Sequence, residues 1–138
     1  MSQDVRPIAV AVVVDAGCVL VGRRPAGAAE AAGFDEFPGG KVEPNESVAE
    51  AAARECLEET GVAVRMLDRT ATVASTQTVP ARTIVFQWAT PLGTAVPPRP
   101  PFAWVPIAEL PTRRFPAANA AVLTILRRDH ESSAHGGS

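Results

Sequence analysis

The sequence predicts a single α/β domain in which a mixed sheet is flanked by helices. Its 138 residues are enough for one hydrophobic core and too few for two. Apolar residues make up 46% of the chain and charged residues 20%, which is typical of a globular protein. Segments with the pattern of strands alternate along the chain with segments typical of helices. We expect one domain over residues 1–128 and a polar, flexible tail over residues 129–138.

The first third of the chain predicts a hairpin and an extended segment. Residues 8–14 form a β-branched run, and residues 18–22 form a second apolar run after the turn-type residues 15–17. The small residues at positions 26–33 predict a surface loop. Residues 34–38 predict a short extended segment that leads into a glycine pair, Gly39 and Gly40.

A helix is predicted over residues 47–60, which are rich in Ala and Glu and contain neither Pro nor Gly. Ser47 with Glu50 three residues later is the signal of a capping box, and Gly61 is suited to end the helix. Both boundaries of this helix can therefore be assigned from the sequence.

The remainder predicts more strands and a second helix. Strands are expected over residues 62–67, 70–77, 83–90 and 102–105, with Ile84, Phe86 and Trp88 on one face of the third. Residues 91–101 contain five prolines, which predicts a stiff loop; a proline-rich ligand for a partner domain is the alternative. A helical turn is expected over residues 108–110. An amphipathic helix is expected over residues 117–128, directly after Pro116. Its inward-facing residues are Val122, Leu123, Ile125 and Leu126.

Three glutamates of the first helix predict a metal site. Glu55, Glu58 and Glu59 are spaced i, i+3 and i+4, so their carboxylates lie on one helix face. They lie near the C-terminal end, where the helix dipole disfavours negative charge. A hard divalent cation such as Mg²⁺ or Mn²⁺ would offset their repulsion. A solvated acidic helix face is the alternative.

The spacing of residues 40–62 resembles the signature of the Nudix hydrolase family, G-x5-E-x7-R-E-U-x-E-E-x-G-U, where U is bulky and aliphatic. Cys56 occupies one U position, and a buried thiol serves there as a small apolar group. The matching residues are Gly40, Glu46, Arg54, Glu55, Cys56, Glu58, Glu59, Gly61 and Val62. The resemblance implies an α/β/α sandwich with a mixed sheet, and hydrolysis of a phosphoanhydride.

The resemblance also implies roles for individual residues. Glu55, Glu58, Glu59 and the carbonyl of Gly39 would bind Mg²⁺, with Mn²⁺ as a possible substitute, and one of these glutamates or another loop acid would activate water. Glu46 and Arg54 would support those ligands through an ion pair. Two basic residues, Lys41 after the glycine pair and Arg23 at the end of the second strand, are candidate phosphate contacts, and Arg24 is an equal candidate to Arg23.

Two segments outside the signature resemble MutT-type nucleoside triphosphatases. Residues 36–43 read EFPGGKVE, and residues 104–119 contain the pattern W-V, L and F-P-x-A-N. This resemblance implies that Asn119 binds the purine edge, that Phe37 lines the base pocket, and that 8-oxo-dGTP is the substrate. A diphosphate-linked substrate such as ADP-ribose, or a non-catalytic nucleotide sensor, is the alternative. The chain departs from relatives at Asp35, where Trp or Leu is common, in the aromatic-free residues 79–82, and in the acid-free loop 91–101.

Composition limits the kinds of molecule that this protein is expected to bind. A net charge of −2 gives no basic surface for a nucleic-acid polymer, so we expect a small-molecule nucleotide as partner. No stretch has the pattern of a signal peptide or the length of a membrane span, which favours a cytoplasmic monomer or homodimer. Cys18 and Cys56 belong to no metal-binding pattern and are expected to be free thiols, with a disulfide as the alternative.

Overall fold

A computed structural model describes residues 6–25, 27, 33–75, 81–93 and 96–136 of the chain. These residues form strands β1 (Ile8–Asp15), β2 (Cys18–Arg23), β3 (Asp35–Glu36), β4 (Gly39–Lys41), β5 (Val64–Ser75), β6 (Arg82–Pro91) and β7 (Ala103–Pro106). They also form helices α1 (Val48–Thr60) and α2 (Ala120–Gly136) and two 3₁₀ helices, Ile107–Thr112 and Ala117–Asn119. The predicted surface loop over residues 26–33 lies largely outside the described residues.

The strands form one mixed sheet, as predicted. Its order is β3-β2-β1-β6-β5, with β4 paired to β1 and β7 paired to β2. β1 and β6 are parallel, from Ile8 opposite Ile84 to Val13 opposite Ala89, whereas the other pairings are antiparallel. The glycine pair, Gly39 and Gly40, lies in β4, whose residues pair with the start of β1.

The two helices cover opposite faces of the sheet. Ala11 of β1 belongs to the same buried cluster as Cys56 of α1. Its neighbour Val12 belongs to a second cluster with Val122 and Leu126 of α2. Because successive side chains of a strand point to opposite faces, this division places β1 at the centre of an α/β/α sandwich.

A single long strand, β5, replaces the two strands expected over residues 62–67 and 70–77. The pairing of β5 with β6 is irregular between Met66 and Thr70, which explains why the sequence pattern appeared interrupted. The buried Gln87 amide donates to the carbonyls of Leu67 at 2.7 Å and Arg69 at 3.3 Å within this irregular stretch. A polar residue is thereby accommodated inside the sheet. Residues 76 and 77 lie outside the described residues.

Helix α1 begins and ends as predicted. The Ser47 hydroxyl accepts from the Glu50 N–H at 3.0 Å, and the Glu50 carboxylate accepts from the Ser47 N–H at 2.8 Å, which is a complete capping box. Gly61 has a φ of 79°, a left-handed conformation that glycine adopts without strain, and its N–H donates to the carbonyl of Leu57 at 2.9 Å.

The C-terminal helix differs from its prediction at both ends. Residues 117–119 form a 3₁₀ turn, so α2 begins only at Ala120. It continues to Gly136, so residues 129–136, predicted as a tail, lie in the helix; residues 137 and 138 lie outside the described residues. An ion pair between Asp129 and Arg69 of β5 ties this extension to the sheet, a contact that the local sequence does not reveal. Val122 and Leu126 are buried as expected.

The cysteines are free thiols, as predicted. Cys18 is half-buried on β2, and Cys56 is fully buried on α1. Burial raises the pKa of the Cys56 thiol, so it stays protonated and acts as part of the core. Within the described part of the chain, no helix is long and apolar enough to span a membrane.

Candidate active site

Arg54 connects the acidic residues of the site. Its Nε and Nη2 donate to the two carboxylate oxygens of Glu46 at 2.8 and 3.1 Å, a bidentate pair. Its Nη1 donates to Glu55 at 3.2 Å and to Glu58 at 3.4 Å, and Nη2 also reaches the carbonyl of Lys41 at 3.2 Å. One guanidinium thus contacts three carboxylates and links the loop before α1 to strand β4.

This network fixes the charge of the loop glutamate. The hydrogen bond from Arg54, together with the N–H of Glu43 at 2.9 Å, lowers the pKa of Glu46 below its usual range. The same pair raises the pKa of Arg54 above its ordinary value. Glu46 therefore stays ionised as the partner of Arg54.

The glycines of β4 allow the carboxylates of α1 to lie against the strand backbone. The N–H of Gly39 donates to Glu59 Oε2 at 3.0 Å. A Cβ atom on Gly40 would lie only 2.2 Å from Oε2 of Glu55. Any other residue at position 40 would therefore displace the Glu55 carboxylate.

Glu59 is the acid whose ionisation is most perturbed. Burial, together with the negative charges of Glu55 and Glu36, raises its pKa to about 7 against the lowering effect of the Gly39 N–H. Burial also raises the pKa of Glu36, which Arg24 partly offsets. Three carboxylates from α1 and β3 therefore lie close enough to repel one another.

The donor chemistry of this cluster fits a hard divalent cation. Glu36, Glu55, Glu58 and Glu59 offer only oxygen donors, the type that Mg²⁺ and Mn²⁺ prefer. In the part of the chain that the structure describes, no three acidic, imidazole or thiol groups converge closely enough to enclose an ion. Glu58 is the outlying member, because its side chain is 58% exposed and turned to Arg54.

A cavity of about 240 Å³ opens beside the acidic cluster. Two chain segments form its walls: Glu36, Phe37 and Gly39, with the Gly39 N–H bonded to Glu59, and Pro116 and Asn119, which precede α2. The other apolar lining residues form the floor: Ile8, Val10, Ile84 and Phe86. The remaining described lining residues are Arg24, Ser75 and Ala118.

The wall that contains Asn119 is held by aromatic packing. The ring of Phe37 stacks on that of Phe115 with centroids 5.0 Å apart, and it meets Phe86 edge-on at 6.5 Å. The Asn119 N–H donates to the carbonyl of Pro116 at 3.0 Å in the 3₁₀ turn. Phe37 thus belongs to both the core and the cavity, and Asn119 lies at the rim.

The structure places the three candidate phosphate contacts differently. The structure places Arg24, not Arg23, at the cavity, where its Nη1 lies 3.4 Å from Glu36 Oε1. Arg23 instead lies 3.5 Å from the buried Asp35 carboxylate. Lys41 is exposed on β4, and the described lining of the cavity does not include it. Adjacent residues at the end of a strand face opposite ways, which separates Arg23 from Arg24.

Arg99, in the proline-rich loop, contacts the end of α1 that carries the glutamates. Its Nη1 donates to the carbonyl of Glu58 at 2.9 Å, and its N–H donates to the carbonyl of Thr60 at 2.8 Å. A cation at this end stabilises the helix dipole, and α1 has no basic residue in its own last turn. One signal of this contact is visible in the sequence, because Arg99 is the only charged residue of the loop.

Comparison with known proteins agrees with this geometry. The model of the NUDIX domain matches residues 5–125. The MutT NUDIX hydrolase of Burkholderia pseudomallei is similar in structure, with a TM-score of 0.65, 26% identity and coverage of 86% of this chain and 95% of that one. The MutT protein of Methanosarcina mazei Go1 shares the fold at a TM-score of 0.69 and 24% identity, covering 93% and 98% of the respective chains. A search of curated sequences gives no match.

Proposed function

Because the chain belongs to the Nudix hydrolase family, we propose that it is a Mg²⁺-dependent enzyme that converts a nucleoside triphosphate and water to a nucleoside monophosphate and pyrophosphate. The proposed substrate is an oxidised purine deoxynucleotide such as 8-oxo-dGTP, removed from the cytoplasmic nucleotide pool. The observation that carries this proposal is the cavity that joins Asn119 and Phe37 to Glu36 and Gly39, next to Glu59.

The two ends of the cavity suit the two ends of a nucleotide. A planar base fits the apolar floor, and the Asn119 amide at the rim offers one acceptor and two donors, enough for a bidentate contact with a purine edge. At the other end, Gly39 and Glu36 lead to the glutamates of α1. A phosphate chain that extends from the base toward α1 would reach these acids.

The acidic cluster needs a cation before it can accept a polyphosphate. Arg54 distributes one positive charge over Glu46, Glu55 and Glu58, so the cluster as a whole remains negative. A divalent cation held by Glu55, Glu58, Glu59 and the Gly39 carbonyl would neutralise phosphate charge and lower the pKa of bound water. Repulsion between the cluster and the substrate thus explains why we propose Mg²⁺, with Mn²⁺ as a substitute.

The chain's own groups position the reacting atoms. The contacts of Arg54 with Glu46 and Glu55 restrain the Glu55 side chain, and the Gly39 N–H restrains Glu59. Burial raises the pKa of Glu59 to about 7 when no cation is bound, and a cation bound there would hold this carboxylate ionised as a ligand. Glu36, which also has a raised pKa, is a second acid at the same end of the cavity. Arg24 is the guanidinium on the cavity wall that can contact a phosphate.

A substrate panel tests the proposal. Product formation from 8-oxo-dGTP, dGTP, the other canonical triphosphates and ADP-ribose would be followed by chromatography, with and without Mg²⁺. We expect monophosphate and pyrophosphate from the triphosphates, with 8-oxo-dGTP preferred and no reaction without a divalent cation. Turnover confined to ADP-ribose would retain the family chemistry and refute the substrate. Binding of nucleotides without any turnover would indicate a sensor.

A further inference from the structure

Asp35 is a buried carboxylate at the junction between the two walls of the cavity. It is 1% exposed and lies in β3, directly before the cavity residues Glu36 and Phe37. Burying an ionised carboxylate is costly unless other charges and hydrogen bonds compensate it. The contacts of Asp35 therefore call for an explanation.

The contacts of Asp35 join β3 to the segment that precedes Asn119. Its N–H donates to the carbonyl of Arg114 at 2.8 Å, and its Oδ2 accepts from the Arg114 N–H at 3.1 Å. Its Oδ1 accepts no hydrogen bond from the described residues and lies 3.5 Å from Nε of Arg23 and 3.7 Å from Nη1 of Arg113. Hydrogen bonds to Arg114 and the charge of Arg113 therefore hold residues 113 and 114 against β3.

Residues 113 and 114 lead directly into the wall that contains Asn119. Phe115 follows Arg114 and stacks on Phe37, and Pro116 and Asn119 line the cavity. On the other strand, Glu36 and Phe37 follow Asp35 and line the cavity from the acidic side. Asp35 therefore joins the two walls at the residue directly before Glu36, and the stacked rings of Phe37 and Phe115 join them again.

From this geometry we propose that Asp35 is a positioning residue that sets the distance between the Phe37 wall and Asn119 and thereby determines nucleobase selectivity. Arg23 then serves as a counterion of Asp35 and not as a phosphate contact. The role of Asp35 in selectivity rests on the proposed nucleotide substrate. Whether Asp35 holds the two walls together can be measured without any substrate.

Replacing Asp35 with leucine removes the charge and the Oδ2 acceptor and keeps the branched shape of the side chain, although two methyl groups take the place of the smaller oxygens. Asp35→Asn retains an oxygen that can accept from Arg114 and provides a second variant if the leucine variant does not fold. Val105→Ala, on β7, is the control for loss of stability, because Val105 is buried and does not line the cavity. Thermal unfolding would show whether the variants are comparable.

Amide hydrogen exchange tests whether Asp35 holds the Asn119 wall against β3. We expect exchange at Arg114 and Asn119 to be about tenfold faster in the leucine variant than in Val105→Ala, as loss of a charged hydrogen-bond acceptor implies. Equal exchange in the two variants at this segment would show that Asp35 does not hold the wall, and would overturn the inference.

The ratio of kcat/KM for two nucleobases tests selectivity. We expect the ratio for 8-oxo-dGTP over dGTP to fall by about tenfold or more in the leucine variant, because small misplacements of contacting groups cost up to about 100-fold. Val105→Ala should keep the wild-type ratio, since loss of folded protein reduces both rates equally. An unchanged ratio in the leucine variant would overturn the selectivity role. A wild-type protein that hydrolyses no nucleotide would refute the proposed function and this role together, while hydrogen exchange would still decide whether Asp35 holds the Asn119 wall against β3.

Discussion

Replacing Gly40 with alanine should reduce the activity of the site and leave the fold intact. The new Cβ would lie 2.2 Å from Oε2 of Glu55 and 2.4 Å from its Cδ, whereas ordinary contacts begin at 3.4 Å. The carboxylate must therefore retreat by about 1.2 Å, which disrupts its 3.2 Å hydrogen bond from Arg54. Gly40 is not among the residues with positive φ, so alanine suits its backbone.

The expected loss follows from this displacement. Misplacing a catalytic contact by about 1 Å can cost about 100-fold in rate, which corresponds to about 2.7 kcal/mol of transition-state stabilisation. The group that moves is the end of a flexible side chain, so the free energy of unfolding should change by less than about 1 kcal/mol. We expect kcat/KM to fall by about 100-fold while Tm stays near the wild-type value.

Gly39→Ala is the matched control, because it adds the same atom one residue earlier. There the Cβ would lie 2.5 Å from the carbonyl oxygen of Ala9 and 2.9 Å from Cα of Val10, which belong to the backbone of β1. Since paired strands cannot move apart cheaply, we expect about 1–3 kcal/mol of destabilisation and a lower Tm.

Steady-state rates on the best substrate of the panel, at several Mg²⁺ concentrations, together with thermal unfolding, would measure both effects. Wild-type kcat/KM in the Gly40→Ala protein would show that the position of Glu55 does not matter for turnover. An equal decrease of Tm in both variants would show that the Glu55 side chain does not accommodate an added Cβ more easily than the backbone of β1 does.

Glu58→Gln should lower turnover by several orders of magnitude while thermal unfolding is unchanged, because it removes a ligand charge from an exposed side chain; full activity would exclude Glu58 as a ligand. Asn119→Ala should reduce the preference for 8-oxo-dGTP over dGTP by about tenfold or more, as expected for a bidentate amide–base contact of about 1–3 kcal/mol, and an equal loss on both substrates would assign Asn119 a supporting role only. Arg99→Ala should destabilise the protein by about 1 kcal/mol, or about 4 °C in Tm, through loss of its contact with the Glu58 carbonyl. Arg65→Ala, at an exposed position on β5, is the control for Arg99, and equal Tm values for these two variants would contradict the assigned contact.

The boundaries of helix α1 were predictable because the caps that set them are local. The capping box joins Ser47 to Glu50, and Gly61 ends the helix through a hydrogen bond to Leu57 four residues earlier. The angular positions of Glu55 and Glu59 follow from the helical repeat alone. The same spacing identifies the family, which the match over residues 5–125 shows independently.

Errors in the predicted fold occurred where distant contacts override local pattern. The irregular pairing within β5 interrupts its alternation, so the sequence suggested two strands where the sheet contains one. The polar residues after Arg128 suggested a tail, but the ion pair of Asp129 with Arg69 joins positions 60 residues apart. Neither the irregular pairing nor the ion pair can be inferred from a short stretch of the sequence.

The sequence by itself determined the family, the fold class, helix α1 and its acids, because these depend on residue type and short-range spacing. Tertiary structure decided which residues accompany those acids. Pairing of β2 with β3 aligns Arg23 with Asp35, which leaves Arg24 for the cavity. Chain segments far apart in sequence bring Asn119 to Phe37 and Arg99 to the end of α1, since packing of the sheet and its connections, and not spacing along the chain, sets those distances.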